Sequence, residues 1–252
     1  MNFRKKKEYD DARFSVLLVV FGILLLILES LANKGEIVFN LFMFVGMLGF
    51  VFVLIGGFIY FNSTGKRNFT KSWDFIKKSR NYILFVVILL LIFGFIGFVF
   101  QPPALVEMLK KIIQELLDKA NNLNFIEMFW FIFRNNVGVA VMSIVFGIVF
   151  AIFPILTIIS NGYMLGFVAN KAIESGGIFV IWKLFPHGIF ELPAIIISLA
   201  FGIKLGLFLF SKNPKKSLVS HLMNAARVFF FIIVPLLLIA ALIETSLIFL
   251  LG

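Results

Sequence analysis

The chain has 252 residues, of which 61% are hydrophobic and only 14% charged, and its formal net charge is +10. A soluble domain averages about half apolar and a quarter charged residues, so this composition excludes an ordinary soluble protein and indicates an integral membrane protein. The basic residues cluster beside apolar stretches, which predicts membrane topology rather than nucleic-acid binding. The sequence has no cysteine, which excludes disulfides, thiolate zinc sites and thiol catalysis.

The N-terminal part contains two apolar stretches, Phe14–Leu31 and Ile37–Phe61, each near or above the roughly 20 residues that a spanning helix needs. The first stretch follows the basic run Arg4–Lys7 and resembles a signal peptide, but its length favours an uncleaved helix. The sequence therefore predicts a two-helix membrane hairpin over residues 1–61. A basic cytoplasmic loop over residues 62–81 is expected to lie against the anionic inner surface of the membrane.

Five further apolar stretches follow in chain order: Tyr82–Phe100, Val137–Ile159, Gly162–Trp182, Ile189–Phe210 and Arg227–Leu251. Polar residues and Gly176-Gly177 interrupt the stretch 162–182, which leaves a re-entrant segment open as an alternative. If this stretch spans, fifteen basic residues lie inside and six outside; if it does not, the distribution is twelve against nine. The positive-inside rule thus predicts an all-α bundle of about seven transmembrane helices in the cell membrane, with a cytoplasmic N-terminus and an external C-terminus.

The longest polar connection, residues 101–136, predicts an external amphipathic helical hairpin over residues 102–134. One face of its first helix carries the apolar residues Leu105, Leu109, Ile112, Ile113 and Leu116. Asn124 and Glu127 have the spacing of a capping box, which predicts a second short helix over Phe125–Phe133. We expect Trp130 and Arg134 of this helix to lie at headgroup level. Such a hairpin either lies on the outer surface of the membrane or packs on a partner protein.

His187 and Glu191 are an ionisable pair in an apolar setting, four residues apart on one face of a helix that begins near Pro186. A packing pair, a proton or ion pathway and a metal site all remain open, although one His and one Glu are only two metal ligands. Other polar side chains within or beside the apolar stretches complete the candidate cluster: Glu174, Asn135, Asn136, Asn161, Asn170 and Glu244. Lys204 is a chemical partner for Glu244. We predict no metal and no cofactor.

Two pairs of glycines are spaced for close helix packing, Gly162 with Gly166 and Gly202 with Gly206. Four-residue spacing places the two small residues of each pair on one helix face, where another backbone can approach. Pro154 lies inside the predicted span 137–159 and is expected to kink it.

These residues together resemble one protein family, the stage II sporulation protein M family of bacteria and archaea. The resemblance rests on Arg134-Asn135-Asn136, on Asn161-Gly162 with Gly166, on the run Leu184-Phe185-Pro186-His187-Gly188-Ile189-Phe190-Glu191-Leu192-Pro193-Ala194, and on Gly202 with Leu205-Gly206. It covers residues 82–252 and implies a five-helix membrane domain that acts as a platform for partners, without hydrolase activity of its own. The two N-terminal spans have no counterpart in this resemblance, and many archaeal relatives live in organisms that form no spores. It therefore implies the membrane fold and not a sporulation role.

We expect a non-enzymatic multi-pass scaffold that recruits partner proteins at the plasma membrane. The alternative is a transporter or channel with a polar pathway around His187 and Glu191, and an intramembrane metal-dependent enzyme comes third. The expected partners are the lipid bilayer and membrane or extracellular proteins, with homo-oligomerisation open and no nucleic acid.

Overall fold

The computed structural model describes residues 11–12, 14–22, 48–49, 51–53, 55–63, 68–120, 123–177 and 181–251; the side chains of residues 116, 117, 119, 120, 181–187 and 251 lie outside that description. All regular structure within these ranges is helical, which confirms the all-α prediction. The chain divides into two compact units, Met1–Ser72 and Trp73–Gly252.

In the first unit, two apolar helical segments, 14–22 and 51–63, pack closely at glycine positions. A Cβ on Gly22 would collide with Val53, and one on Gly56 with the backbone of Ser15. The rings of Phe21 and Phe52 meet edge to face with centroids 5.5 Å apart. About half of the predicted spans Phe14–Leu31 and Ile37–Phe61 falls outside the described residues.

The remaining helices are numbered in chain order: α1 Asn68–Lys78, α2 Arg80–Val99, α3 Pro103–Ala120, α4 Phe125–Phe146, α5 Ile152–Gly176, α6 Ile181–Gly206, α7 Pro214–Val228 and α8 Val234–Leu251. A 3₁₀ turn, Phe208–Phe210, follows α6, and a π-helical segment, Phe229–Ile233, joins α7 to α8. Part of the predicted basic loop 62–81 is therefore the helix α1.

The described residues contain five helices that are long and apolar enough to cross a membrane: Arg80–Val99, Phe125–Phe146, Ile152–Gly176, Gly188–Gly206 and Pro214–Leu250. Their number equals the five spans that the sequence predicts after residue 81. Five candidate spans indicate a multi-pass membrane protein.

The predicted spans Val137–Ile159 and Gly162–Trp182 have the wrong boundaries. The prediction of one helix over Val137–Ile159 was wrong, because α4 ends at Phe146 and α5 begins only at Ile152. Phe150 and Ala151 both adopt positive φ, 51° and 57°, in the turn between the two helices. The physical reason is Pro154, which has no N–H and would clash with the carbonyl four residues earlier in a continuous helix, yet fits the first turn of a new one.

The predicted short helix Phe125–Phe133 is also corrected. The capping box itself is confirmed: Asn124 Oδ1 accepts from the amides of Ile126 and Glu127 at 3.0 Å, and Glu127 Oε2 accepts from the Asn124 amide at 2.9 Å. The helix that it opens continues through Phe146 as a candidate span. Trp130 is buried against its neighbours, while its expected position at headgroup level stays a prediction.

Helix α5 runs without interruption from Ile152 to Gly176. It contains residues 162–176 of the predicted stretch 162–182 and is long and apolar enough to cross the membrane. The helix ends at Gly177, whose φ of 75° is the left-handed conformation that glycine adopts without a steric penalty. A re-entrant segment within 162–176 is therefore not what the structure shows.

Helix α6 is the core of the second unit, since it packs against α2, α4, α5 and α8. Its C-terminal half is buried on every side, with fully covered side chains at Ala194, Leu199, Ala200, Phe201 and Leu205. An apolar helix that is covered all round needs no amphipathic stripe. Helix α2, by contrast, buries only Val86 and Gly97 and exposes most of its apolar surface.

Candidate functional site

The structure places His187 and Glu191 on the same helix, α6, with Glu191 one turn after His187. This agrees with the prediction that they share a helix face, but the predicted start of the helix near Pro186 was wrong, because α6 begins at Ile181. The His187 side chain lies outside the described residues, so a contact between the two groups stays a prediction. Glu191 is partly buried within the candidate span 188–206.

The predicted asparagines lie inside spans rather than beside them. Asn135 and Asn136 occupy the middle of α4, where Asn136 is buried, Asn135 is exposed, and a long 3.5 Å contact joins their amides. Asn161 lies on the exposed surface of α5, whereas Asn170 has a buried Oδ1 without a hydrogen-bond partner among the described residues. The sequence misplaced the first pair because the boundaries of α4 were misjudged.

The two predicted carboxylates have different settings. Glu174 is exposed near the end of α5, where its Oε2 accepts from Lys171 Nζ at 2.6 Å, so it forms a surface ion pair. Glu244 is partly buried in α8, next to Thr245, whose fully buried Oγ1 has no partner in the described part of the chain. The structure thus does not bring Glu174 into an interior polar cluster.

The four predicted packing glycines lie at close helix crossings. A Cβ on Gly166 would collide with the backbone of Gly94, and Gly162 faces Leu90 and Phe93 of the same helix, α2. Gly202 lies against the backbone of Ser143 and the ring of Pro154, and Gly206 against the turn residue Ala151. Glycine is required at Gly166, Gly202 and Gly206 because backbone occupies the space of a side chain, whereas a Cβ on Gly162 would make tight contacts of 3.0–3.1 Å.

Lys204 has a different partner from the one that the sequence suggested. Its Nζ donates to Ser79 Oγ at 2.9 Å and lies 4.3 Å from the centroid of the Phe75 ring. The His221 ring lies near Phe75, and thus near Lys204. Glu244 follows His221 along α7 and α8, about 34 Å further at a rise of 1.5 Å per residue. Lys204 and Glu244 therefore belong to opposite ends of the bundle.

This lysine cluster, defined as Phe75, Ser79, Tyr82, Lys204 and His221, was missed by the sequence reasoning. The residues come from α1, α2, α6, α7 and the turn between α1 and α2 that holds Ser79, and 125 positions separate Lys204 from Ser79. Periodicity gives no information on such long-range pairs. The available signal was a lysine in the last turn of an apolar helix, where its ammonium group can reach the membrane interface.

Helix α3 is the outlying element of the second unit. Within the second unit, neither α2 nor any of the helices α4 to α8 packs extensively on it. Leu109 is buried, but Met108 and Ile112 are 52% and 37% exposed. Its charged residues Glu107, Lys110, Lys111, Glu115 and Asp118 are exposed as well. The helix therefore presents an amphipathic surface with nearly balanced charge.

Among the described residues, no three or more His, Cys, Asp or Glu side chains lie close enough together to bind a metal ion. The polar groups within the spans are amides, hydroxyls, carboxylates and basic side chains that include Arg134, Lys171, Lys204, His221 and Arg227. Such groups can bind water or each other by hydrogen bonds.

A family model described as stage II sporulation protein M matches residues 83–247, about two thirds of the chain. The chain belongs to the stage II sporulation protein M family. The resemblance read from the sequence is therefore confirmed, and the match covers α2 to α8 with all five candidate spans.

An uncharacterised protein of Methanocaldococcus jannaschii is 34% identical over 97 residues, which is 38% of this chain. The match spans 41% of that relative's length. No solved structure matches the chain.

Proposed function

We propose that this family member is a non-enzymatic scaffold in the plasma membrane that recruits a membrane or extracellular protein through α3. The observation that carries the proposal is the 18-residue amphipathic helix itself, which is not packed extensively on α2 or on the helices α4 to α8 of the second unit. A solvent-exposed apolar stripe is unfavourable, so it is expected to be covered by lipid or by another protein.

The orientation that the positive-inside rule predicts supports an external position for α3. Seven spans with a cytoplasmic N-terminus place α1 and α7, with their many basic residues, on the cytoplasmic side. Helices α2 and α4 flank α3, so α3 lies at the opposite, external end. In this orientation the C-terminus is external, and two further spans before residue 62 complete about seven.

The surface of α3 favours a protein partner of matching character. Its exposed apolar residues, Met108 and Ile112, lie four positions apart and thus on one face. The adjacent charges of both signs provide polar contacts that set the register of a partner helix. A purely lipid-bound helix typically carries mostly Lys and Arg on its polar face, whereas α3 also carries Glu107, Glu115 and Asp118.

Site-specific photocrosslinking in native membranes tests this proposal. A photoreactive residue at Met108 or Ile112 should form one discrete protein adduct, and Ile112→Asp should abolish recovery of that protein without preventing membrane insertion. Gln114→Glu adds one negative charge to the polar face of the same helix and is the matched control, with recovery unchanged. Adducts to lipid alone at both positions would show that α3 only covers the membrane surface, and the scaffold proposal would fail.

A transporter or channel is the second candidate, because buried polar atoms without partners occur in two candidate spans. Asn170 Oδ1 and Thr245 Oγ1 are both buried and unsatisfied within the described residues. Such atoms are rare in folded proteins and are consistent with water or an ion in a polar pathway that also includes His187 and Glu191. Ion flux through proteoliposomes that is lost when Asn170→Leu and Thr245→Val are combined would favour this candidate over the scaffold.

A further inference from the structure

Among the residues that the structure describes, the groups in contact with the ammonium group of Lys204 are neutral. Besides the bond to Ser79 Oγ, its Nζ lies over the rings of Phe75 at 4.3 Å and Tyr82 at 5.8 Å, and the side chain is half-buried. Over the residues that the structure describes, no carboxylate forms an ion pair with Lys204. An ammonium group has three donors, and Ser79 takes one of them. Two donors and a full positive charge remain to be matched.

The charges around Lys204 have the same sign. Lys78 and His221 both interact electrostatically with Lys204 as like charges when protonated. Arg80 follows Ser79 in the chain and is exposed, as is Lys78. Asp74 is the only acidic residue between positions 68 and 100, and it too is exposed. Like charges at short range repel, so an anion that binds among them is attracted by several cations at once.

The depth of the cluster identifies the kind of anion. Ser79 immediately precedes α2, a 20-residue apolar helix that begins at Arg80, and Lys204 lies in the last turn of α6. Both positions are therefore at the boundary between hydrocarbon and headgroups. Phosphate groups of phospholipids are concentrated at this depth.

The surface of α2 below Arg80 has room for an acyl chain. Leu84, Ile88, Leu91 and Phe95 are all exposed, at 59%, 47%, 68% and 69%. Their spacing of three and four residues from Arg80 onward places them in one stripe along the helix. A headgroup bound at Arg80 would therefore continue into a hydrocarbon chain lying on this stripe.

We propose that Lys204, Lys78 and Arg80 form a binding site for the phosphate of an anionic phospholipid at the basic end of the bundle, with an acyl chain along the exposed stripe of α2. The site is independent of the scaffold function at α3, which lies at the other end of α2. Ser79, Phe75 and Tyr82 hold the Lys204 ammonium group in position, and Lys78 and Arg80 reach the phosphate from the exposed side.

Lipid titration of the purified full-length protein tests the proposal. The melting temperature in mild detergent is followed while phosphatidylglycerol, phosphatidylcholine or inorganic phosphate is added, and native mass spectrometry counts the bound lipids. We expect phosphatidylglycerol to raise the melting temperature of the wild type more than phosphatidylcholine does. We expect inorganic phosphate at equal concentration to have little effect.

The variants assign the binding to the cluster. Lys204→Met keeps the length of the side chain and removes its charge, and its affinity for phosphatidylglycerol should fall about fivefold, the typical contribution of one cation near an anionic surface. Arg80→Gln and Lys78→Gln should each lower the affinity for phosphatidylglycerol by a similar factor. Both residues are exposed, so these two variants are expected to fold and can test the proposal even if Lys204→Met does not fold. Lys111→Met on α3 is the matched control and should bind as the wild type does.

Two results would overturn the proposal. Unchanged phosphatidylglycerol affinity in all three cluster variants would show that the lipid binds elsewhere. Equal stabilisation by inorganic phosphate would identify a small-anion site in place of a lipid site.

Discussion

At the scale of single residues, glycines determine how closely the helices approach. Gly202 and Gly138 provide a matched pair, since a Cβ on Gly202 would collide with the Ser143 backbone and the Pro154 ring, while one on Gly138 would meet nothing within 4 Å. We expect Gly202→Ala to lower the free energy of unfolding by about 1–3 kcal/mol through overpacking. Gly138→Ala should be neutral or stabilising, because alanine is the better helix former. Thermal unfolding of both variants in one detergent checks this, and equal melting temperatures would contradict the close crossing.

The His187–Glu191 pair gives a second prediction at the residue scale. If the two side chains form a packing pair, His187→Phe or Glu191→Leu alone would leave the other member in a poorly solvated place. Each single change should then lower the melting temperature more than the double change does, because an unpaired buried charge is more unfavourable than two apolar replacements. Function should follow stability in all variants. A stable but inactive double variant would favour the transport candidate over the scaffold.

At the scale of helices, α5 is attached to α2 by glycine contacts and by one long-range hydrogen bond. Tyr163 Oη donates to the Phe100 carbonyl at 2.6 Å, and Phe100 is the residue at which α2 ends. We expect Tyr163→Phe to lower the free energy of unfolding by about 1 kcal/mol, the usual net contribution of one hydrogen bond.

A second hydroxyl of α5 provides the control for this prediction. Ser160 Oγ donates to the Leu156 carbonyl at 2.9 Å within its own helix. Ser160→Ala therefore removes a hydroxyl without removing a link between helices, and its melting temperature should stay close to that of the wild type. If Ser160→Ala lowered the melting temperature as much as Tyr163→Phe does, the hydrogen bond between α2 and α5 would contribute no more to stability than a hydroxyl bond within one helix.

The helices also show which parts of the fold could be predicted from the sequence. Apolar composition and the positive-inside rule were enough for an all-α membrane protein with five candidate spans after residue 81, because lipid requires long apolar helices. The capping box at Asn124 was found because it is a local pattern. The break between α4 and α5 was missed, since Gly147 and Pro154 lie within an unbroken apolar run.

The sequence could not provide the tertiary contacts of the candidate sites. The bond between Lys204 and Ser79 depends on which helices become neighbours, and apolar helices in lipid have no periodic polar face that would indicate their neighbours. The close approach of Gly147 to Gly202 is of the same kind. The glycine spacing predicted the packing faces but not their partners.

At the scale of the whole molecule, the unequal distribution of charge predicts the orientation in the membrane. The segment from Ser211 to Val228 carries Lys212, Lys215, Lys216 and Arg227 and no acidic residue, whereas α3 carries charges of both signs. One candidate span, α6, separates Ser175 at the end of α5 from Ser220 in α7, and both serines are exposed. They should therefore lie on opposite sides of the membrane, with Ser220 in the cytoplasm.

Cysteine labelling tests this orientation without background, because the chain has no cysteine of its own. In intact cells, a membrane-impermeant maleimide should label Ser175→Cys and Gln114→Cys, which two spans, α4 and α5, place on the same external side. Ser220→Cys should be labelled only after the membrane is permeabilised. Labelling of position 220 in intact cells would place the basic helix α7 outside, against the positive-inside rule. If positions 114 and 175 were labelled only after permeabilisation, the bundle would have the opposite orientation. Helix α3 would then lie in the cytoplasm and not on the external surface that the scaffold function requires.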